Sequence, residues 1–189
     1  MFSTDAVKGT RGYLRTQKNY EILRTVLYFA ISLALFIAGW VSTGSRENLL
    51  TIVAVLGCLP ACKSLVEMFM YLRYKGCDER DASLIAAHTQ GLTGLYDCVF
   101  TSYEKNFCIH HLTVCGNTIC GYTADPKFEE QAFYKHIQAI LKKDNYRETS
   151  VKIFNDLDKY VKRCEQLKEL PTQPELTLGI CQTLKSVSL

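Results

Sequence analysis

The sequence predicts a two-helix transmembrane hairpin followed by a small cytoplasmic α/β (α+β) domain with the element order α-β-β-β-α-β-α. Three observations carry this reading. Two apolar runs, Thr25 to Thr43 and Leu49 to Met70, stand back to back with only the stretch GSREN between them. The first holds no charged residue, and its length matches the ~20 residues a helix needs to cross ~30 Å of hydrocarbon. Beyond Gly76 the apolar runs give way to short segments rich in β-branched and aromatic residues, separated by turn signals.

The charge pattern orients the hairpin. Residues 1–75 hold nine Lys/Arg against four Asp/Glu, whereas residues 76–189 hold thirteen against fifteen. Lys8, Arg11, Arg15, Lys18 and Arg24 precede the first run, and Arg73, Lys75 and Arg80 follow the second. The loop between them has one cation, Arg46, beside Glu47. By the positive-inside rule both termini face the cytoplasm and Ser45 lies outside, in the inner (plasma) membrane of a bacterial cell. Because the basic excess is confined to the membrane part, it reads as topology, and no nucleic acid is expected as a partner. A cleaved signal peptide is not expected, since the run is too long and no small-residue cleavage site follows it.

The expected domains are a basic cytoplasmic arm at 1–20, the hairpin at 21–75 with spans of about 23–43 and 49–70, and the cytoplasmic domain at 76–189. Anionic headgroups attract such an arm. Ser45 or Asn48 can cap the second helix, and Pro60 inside it predicts a kink near Gly57. Lys63 and Glu67 share a helix face four residues apart. With Pro60 they make either a polar seam in an oligomer or pore, or charges that snorkel to cytoplasmic headgroups. Gly39 and Ala34 on the first helix, with Gly57, Ala61 and Ser64 on the second, form small-residue faces suited to close helix packing, within the hairpin or between copies.

In the soluble part, residues 77–91 read as a helix, then 95–102, 106–115 and 118–124 as strands. Gly116-Asn117 is a two-residue hairpin signal. Asp125-Pro126 is expected to start a helix, with Asp at the cap and Pro in the first turn. Residues 150–156 read as a fourth strand, 156–170 as an amphipathic helix, and the tail after Pro174 fits either helix or strand.

Of nine cysteines, Cys58 and Cys62 lie in the second span and seven in a reducing compartment; their irregular spacing is not a disulfide framework, and buried free thiols are expected. His110 and His111 are adjacent in a strand, so they should point to opposite faces. Cys108 and His110 share a face and are weak metal candidates, with Cys98 or Cys120 nearby, but no motif spacing supports a zinc site. His88 and His136 read as surface or boundary residues. Neither nucleophile nor phosphate-binding motifs occur, and no cofactor is expected. Asp97 and Glu104 are carboxylates near the first hairpin.

The order α-β-β-β-α-β, with Asp97 opening a strand, resembles the core of restriction-endonuclease-like nucleases. There the next strand carries Glu-x-Lys to hold a metal; this chain reads Ile109-His110-His111-Leu112. The resemblance implies a similar shape and argues against nuclease activity. VLGCLPACKSLV and YDCVFTS are similar to segments of small two-span bacterial membrane proteins.

The expected function is that of a membrane-anchored, non-enzymatic protein whose cytoplasmic domain binds a protein partner or small ligand. The alternative is an oligomeric membrane effector or small channel that assembles through the hairpin and is gated by the cytoplasmic domain. A membrane-tethered enzyme or degenerate nuclease-like domain is the third reading.

Overall fold

The computed structural model describes residues 7–45, 48–103, 105–146, 148–171 and 173–189. The chain divides into two compact units. One is helical and runs from Leu14 to Lys75. The other comprises, among the described residues, 7–13 and 76–189. The segment read from the sequence as the basic arm is therefore shared. Residues 7–13 pack with the α/β unit, and α1 has begun by Tyr13.

The helical unit holds α1 (Tyr13–Thr43) and α2 (Leu49–Arg73). Both are long and apolar enough to cross a membrane, yet only 17% of each apolar window is buried. Asn48 caps α2, its Oδ1 accepting from the Thr51 N–H at 2.8 Å. The Asn48 side-chain amide donates to Thr43 Oγ1 and to the Ser45 carbonyl, which pins the hairpin tip. The α2 helix runs unbroken through Pro60, a residue that removes one backbone donor from a helix interior.

The α/β unit is built on a four-stranded sheet of β1 (Thr93–Thr101), β2 (Asn106–Cys115), β3 (Thr118–Tyr122) and β4 (Ser150–Phe154), in that spatial order. The first two pairings are antiparallel and the last is parallel. Gly116 takes φ +54°, as the first central position of the β2–β3 turn requires. The helices α3 (Glu79–His88), α4 (Glu130–Lys143), α5 (Leu157–Leu167) and α6 (Pro174–Val187) complete the unit.

Two cores flank the sheet. On one face Phe133, Ile137 and Leu141 of α4 and Ile180 and Leu184 of α6 pack on Phe100, Phe107, Ile109, Leu112 and Ile119. On the other, Ile85 of α3 and Tyr160, Cys164 and Leu167 of α5 pack on Cys115, Cys120 and Tyr122. The tail that the sequence left open is α6, with Pro174 at its first position, where a missing N–H costs nothing. It adds one helix to the expected order.

Two expectations are corrected. Asp125-Pro126 forms a turn rather than a helix start. Asp125 Oδ1 accepts from Lys127 N at 2.9 Å, its carbonyl accepts from Phe128 N, and α4 begins at Glu130. Phe128 turns inward onto Phe107 and Phe133, ring centroids 5.7 and 5.5 Å away, before the helix starts. The second correction concerns the sheet. Leu95, Cys98 and Phe100 of β1 all face the α4/α6 core, as do Phe107, Ile109, Leu112 and Val114 of β2. Strict alternation forbids both sets. The phase inverts at Asp97, which has φ +54° inside β1, and at His110 directly opposite, without an insertion in either strand. His110 and His111 consequently sit near the rings of Tyr122 and Tyr160, which stack on each other on the α3/α5 face, instead of pointing to opposite faces.

Candidate functional site

The helical unit buries the hydroxyl side chains of Thr25, Ser32 and Ser64. Thr25 pairs with Ser64, Oγ to Oγ 2.8 Å, in a buried contact. A Cβ on Gly57 would stand 2.9 Å from Ser32 Oγ, and one on Gly39 would stand 2.8 Å from Leu50 Cβ. These contacts pair 25 with 64, 32 with 57 and 39 with 50, the register of an antiparallel pair. Ala54, Ala61 and Ser64 are buried in the same seam. Ile22, Leu23, Val26, Leu27, Phe29 and Ile31 of α1 are exposed, as are Ile52, Val55, Leu56, Leu59, Val66 and Phe69 of α2. Gly39, Gly57, Ala61 and Ser64 are thus brought together between the two helices; Ala34 is exposed outside the seam.

At one end of the seam lies an ion cluster centred on Arg24. Its guanidinium donates to Glu67 and to Ser64 Oγ and stands 2.8 Å from Glu21 Oε2. Glu21 is only 2% exposed, and Gln17 donates to its other oxygen at 3.2 Å. Lys63 is peripheral: its side chain is 81% exposed and its ammonium is 4.0 Å from Glu67. Pro60 is also on the outer surface. The sequence pair Lys63–Glu67 therefore splits, with Glu67 turned to α1 and Lys63 outward. Glu21 and Arg24 were missed because they precede the uncharged run; their spacing of three from each other was the available signal.

In the α/β unit the polar centre lies between the sheet and α5. His111 is 1% exposed, and its Nδ1 is 2.6 Å from Tyr160 Oη. Thr113 Oγ1 is 2.7 Å from the same phenol. Tyr96 packs on the imidazole, ring centroids 4.2 Å apart. Gly94 leaves room for the ring, since a Cβ there would stand 2.7 Å from His111 Nε2. Burial alone pushes the imidazole down to about 3, so His111 is neutral at any physiological pH. Burial likewise holds the Tyr160 phenol well above its ordinary value. Such a network fixes a ring and resists proton transfer.

The remaining candidates are separate. Ala124 N donates to His110 Nδ1 at 3.2 Å, and burial lowers its imidazole. Burial pushes the Cys108 and Cys98 thiols up to about 12 and the Cys120 thiol up to about 11, the reverse of what a thiolate ligand or nucleophile needs. Among the described residues no group of three or more His, Cys, Asp or Glu is placed to hold a metal ion. None of the nine cysteines is in a disulfide. His88 bonds Glu165 at 2.7 Å on the surface, and His136 stands 6.1 Å from Phe107. Glu104 lies outside the described residues. Asp97, where the nuclease resemblance places a metal-binding acid, accepts at its carboxylate oxygens from the N–H groups of Gly12 and Cys77. An open cleft of about 830 Å3 between the β1–β2 turn and α4 is lined by Ser102, Lys105, Phe107, Glu130, Lys135 and His136.

Two predictions test these sites. Arg24→Gln leaves Glu21 buried without its cation, which costs roughly 3–5 kcal/mol. Lys63→Gln, at an exposed ion pair, costs under about 1 kcal/mol. An SDS titration of helix-pair stability separates the two, and equal effects would remove Arg24 from the centre of the cluster. For His111 the folded value lies far below the unfolded value of 6.5. Its contribution is complete above pH 6.5 and lost as pH falls towards 3, at about 1.4 kcal/mol per unit, because only the unfolded chain takes up the proton. His111→Asn should flatten the decline in melting temperature between pH 7 and pH 4.

Compared with known proteins, the chain matches no family, no curated protein and no solved structure.

Proposed function

We propose that this chain is a membrane-anchored, non-enzymatic protein: the α1–α2 hairpin sits in a bacterial inner membrane and the α/β unit is a cytoplasmic binding module. One observation supports this most: the helix pair buries its small and hydroxyl side chains and exposes its large apolar ones. Water penalises that arrangement at ~25 cal/mol per Å2 of apolar surface, whereas lipid does not, and in lipid small interfacial residues permit close packing. The ion cluster supports the boundary. Arg24 is the last charge before the uncharged run, and it lies level with Ser64 and Glu67 across the seam. Lys63, at the same level and outward, then reaches cytoplasmic headgroups by snorkelling. The binding role rests on the buried groups being held in unreactive protonation states, while the open surface is a mixed-charge cleft. The occupant is a cytoplasmic protein or small ligand.

The topology is tested with single cysteines on a cysteine-free background and an impermeant maleimide. Ser45→Cys should label in intact cells and Ser150→Cys only after lysis; the reverse pattern overturns the orientation.

A second reading, an oligomeric effector or channel assembled from several hairpins, is favoured by the 81% exposed Lys63 side chain, which a neighbouring copy would cover. Lys63→Leu discriminates. Under the anchor reading, light scattering in mild detergent gives the same mass for both proteins. A wild-type oligomer that dissociates on Lys63→Leu supports the second reading instead.

A further inference from the structure

Asp97 has a conformation and a set of bonds that an ordinary strand residue lacks. It sits inside β1, 2% exposed, with φ +54°. Asp and Asn tolerate that region better than other residues with a side chain, and Gly best of all. What Asp adds over Gly is a carboxylate with two oxygens. Oδ2 accepts from Gly12 N at 3.1 Å and Oδ1 from Cys77 N at 2.7 Å. Gly12 is the last residue before α1, and Cys77 follows α2 by a few positions. Both belong to the α/β unit.

The neighbouring contacts act in the same direction. A Cβ on Gly76 would meet the two Asp97 carboxylate oxygens at 3.0 and 3.1 Å, so the chain passes directly against them. Tyr96 N donates to the Gly9 carbonyl at 2.8 Å, which lays the segment before α1 along the edge of β1 away from β2. Arg11 ties that segment to α3, donating to the Glu79 carbonyl at 3.0 Å and to Ser83 Oγ at 2.9 Å. The two chain passages are remote in sequence, yet one buried anion terminates both.

We propose that Asp97 is a conformational latch: its carboxylate holds the segment leading into α1 and the segment leaving α2 on β1 as one body, and losing it frees both together. The latch is internal to the α/β unit. It stands whether or not α1 and α2 meet a bilayer, so its failure is distinguishable from failure of the anchor reading. Its consequence is that residues 7–12 and 76–78 open cooperatively while the sheet stays closed.

Hydrogen exchange of the full chain in detergent, read by mass spectrometry, tests this. Asp97→Gly keeps the permissive backbone and removes both acceptors. Exchange of peptides covering 7–12 and 76–78 should accelerate together, by about tenfold to a hundredfold, as expected for losing hydrogen bonds to a charged group. Peptides containing Ile109 and Ile119 should keep their protection. Asp97→Asn, which retains one acceptor and the same shape, should give a smaller acceleration in the same two segments. Acceleration in only one segment, or in neither, overturns the latch. If Asp97→Gly loses protection throughout, Asp97→Asn decides: a local effect on both segments supports the latch, and a global effect or none overturns it.

Discussion

The inversion of the sheet at the Asp97–His110 pair is the constraint on which the α/β unit depends. Before it, β1 turns Leu95 to one core and Tyr96 to the other; after it, Cys98 and Phe100 face the core of Leu95. The opposing strand inverts at the same level, so the register of β1 on β2 is kept throughout. Had only one strand inverted, its apolar set would have moved to the wrong face. A non-glycine residue at positive φ costs on the order of 1–3 kcal/mol, and it persists here because the surroundings define it so fully. The inversion brings His111 and Thr113 under Tyr160, where burial keeps the imidazole neutral and the phenol protonated.

The helix pair obeys a different rule. Its seam is made of Thr25, Ser32, Gly39, Ala54, Gly57, Ala61 and Ser64, none of which supplies much apolar surface. Close approach and the Thr25–Ser64 hydrogen bond replace burial of large side chains as the source of cohesion. Arg24 completes the seam by bridging acids from both helices, Glu21 beside it on α1 and Glu67 across on α2. One cation between two carboxylates is more than an exposed surface pair, because Glu21 has almost no access to solvent.

The chemistry of the α/β unit is dominated by burial. Cys98, Cys108, Cys120 and Cys181 all have thiols pushed up to about 11 or 12 with desolvation as the leading cause. Thiols in that state pack as small apolar groups. Polar residues open to solvent line the cleft beside α4, where Lys105 pairs with Glu129. Under the binding role proposed above, recognition there would rest on shape and charge.

The sequence by itself determined what local signals carry. Two uncharged or nearly uncharged runs with a five-residue connection make two antiparallel helices, and β2, β3, β4 and the Gly116-Asn117 turn follow from β-branched alternation and turn chemistry. Asn48 was legible, beside Ser45, as a candidate cap because the capping bond is local, from the Thr51 N–H three residues on. Tertiary structure decided the rest. Asp125-Pro126 has the composition of a helix start, but the packing of Phe128 on Phe107 uses it as a turn. Lys63 and Glu67 share a face by spacing, and only the opposing helix, with Arg24 in reach of Glu67, separates their roles. The facing of His110 and His111 depends on a backbone inversion that no periodicity encodes, because a period describes regular strands and Asp97 is where the strand is not regular. The same residue looked like a strand-opening acid. Its partners, Gly12 and Cys77, come from segments far apart in the chain, and only folding brings them to one carboxylate.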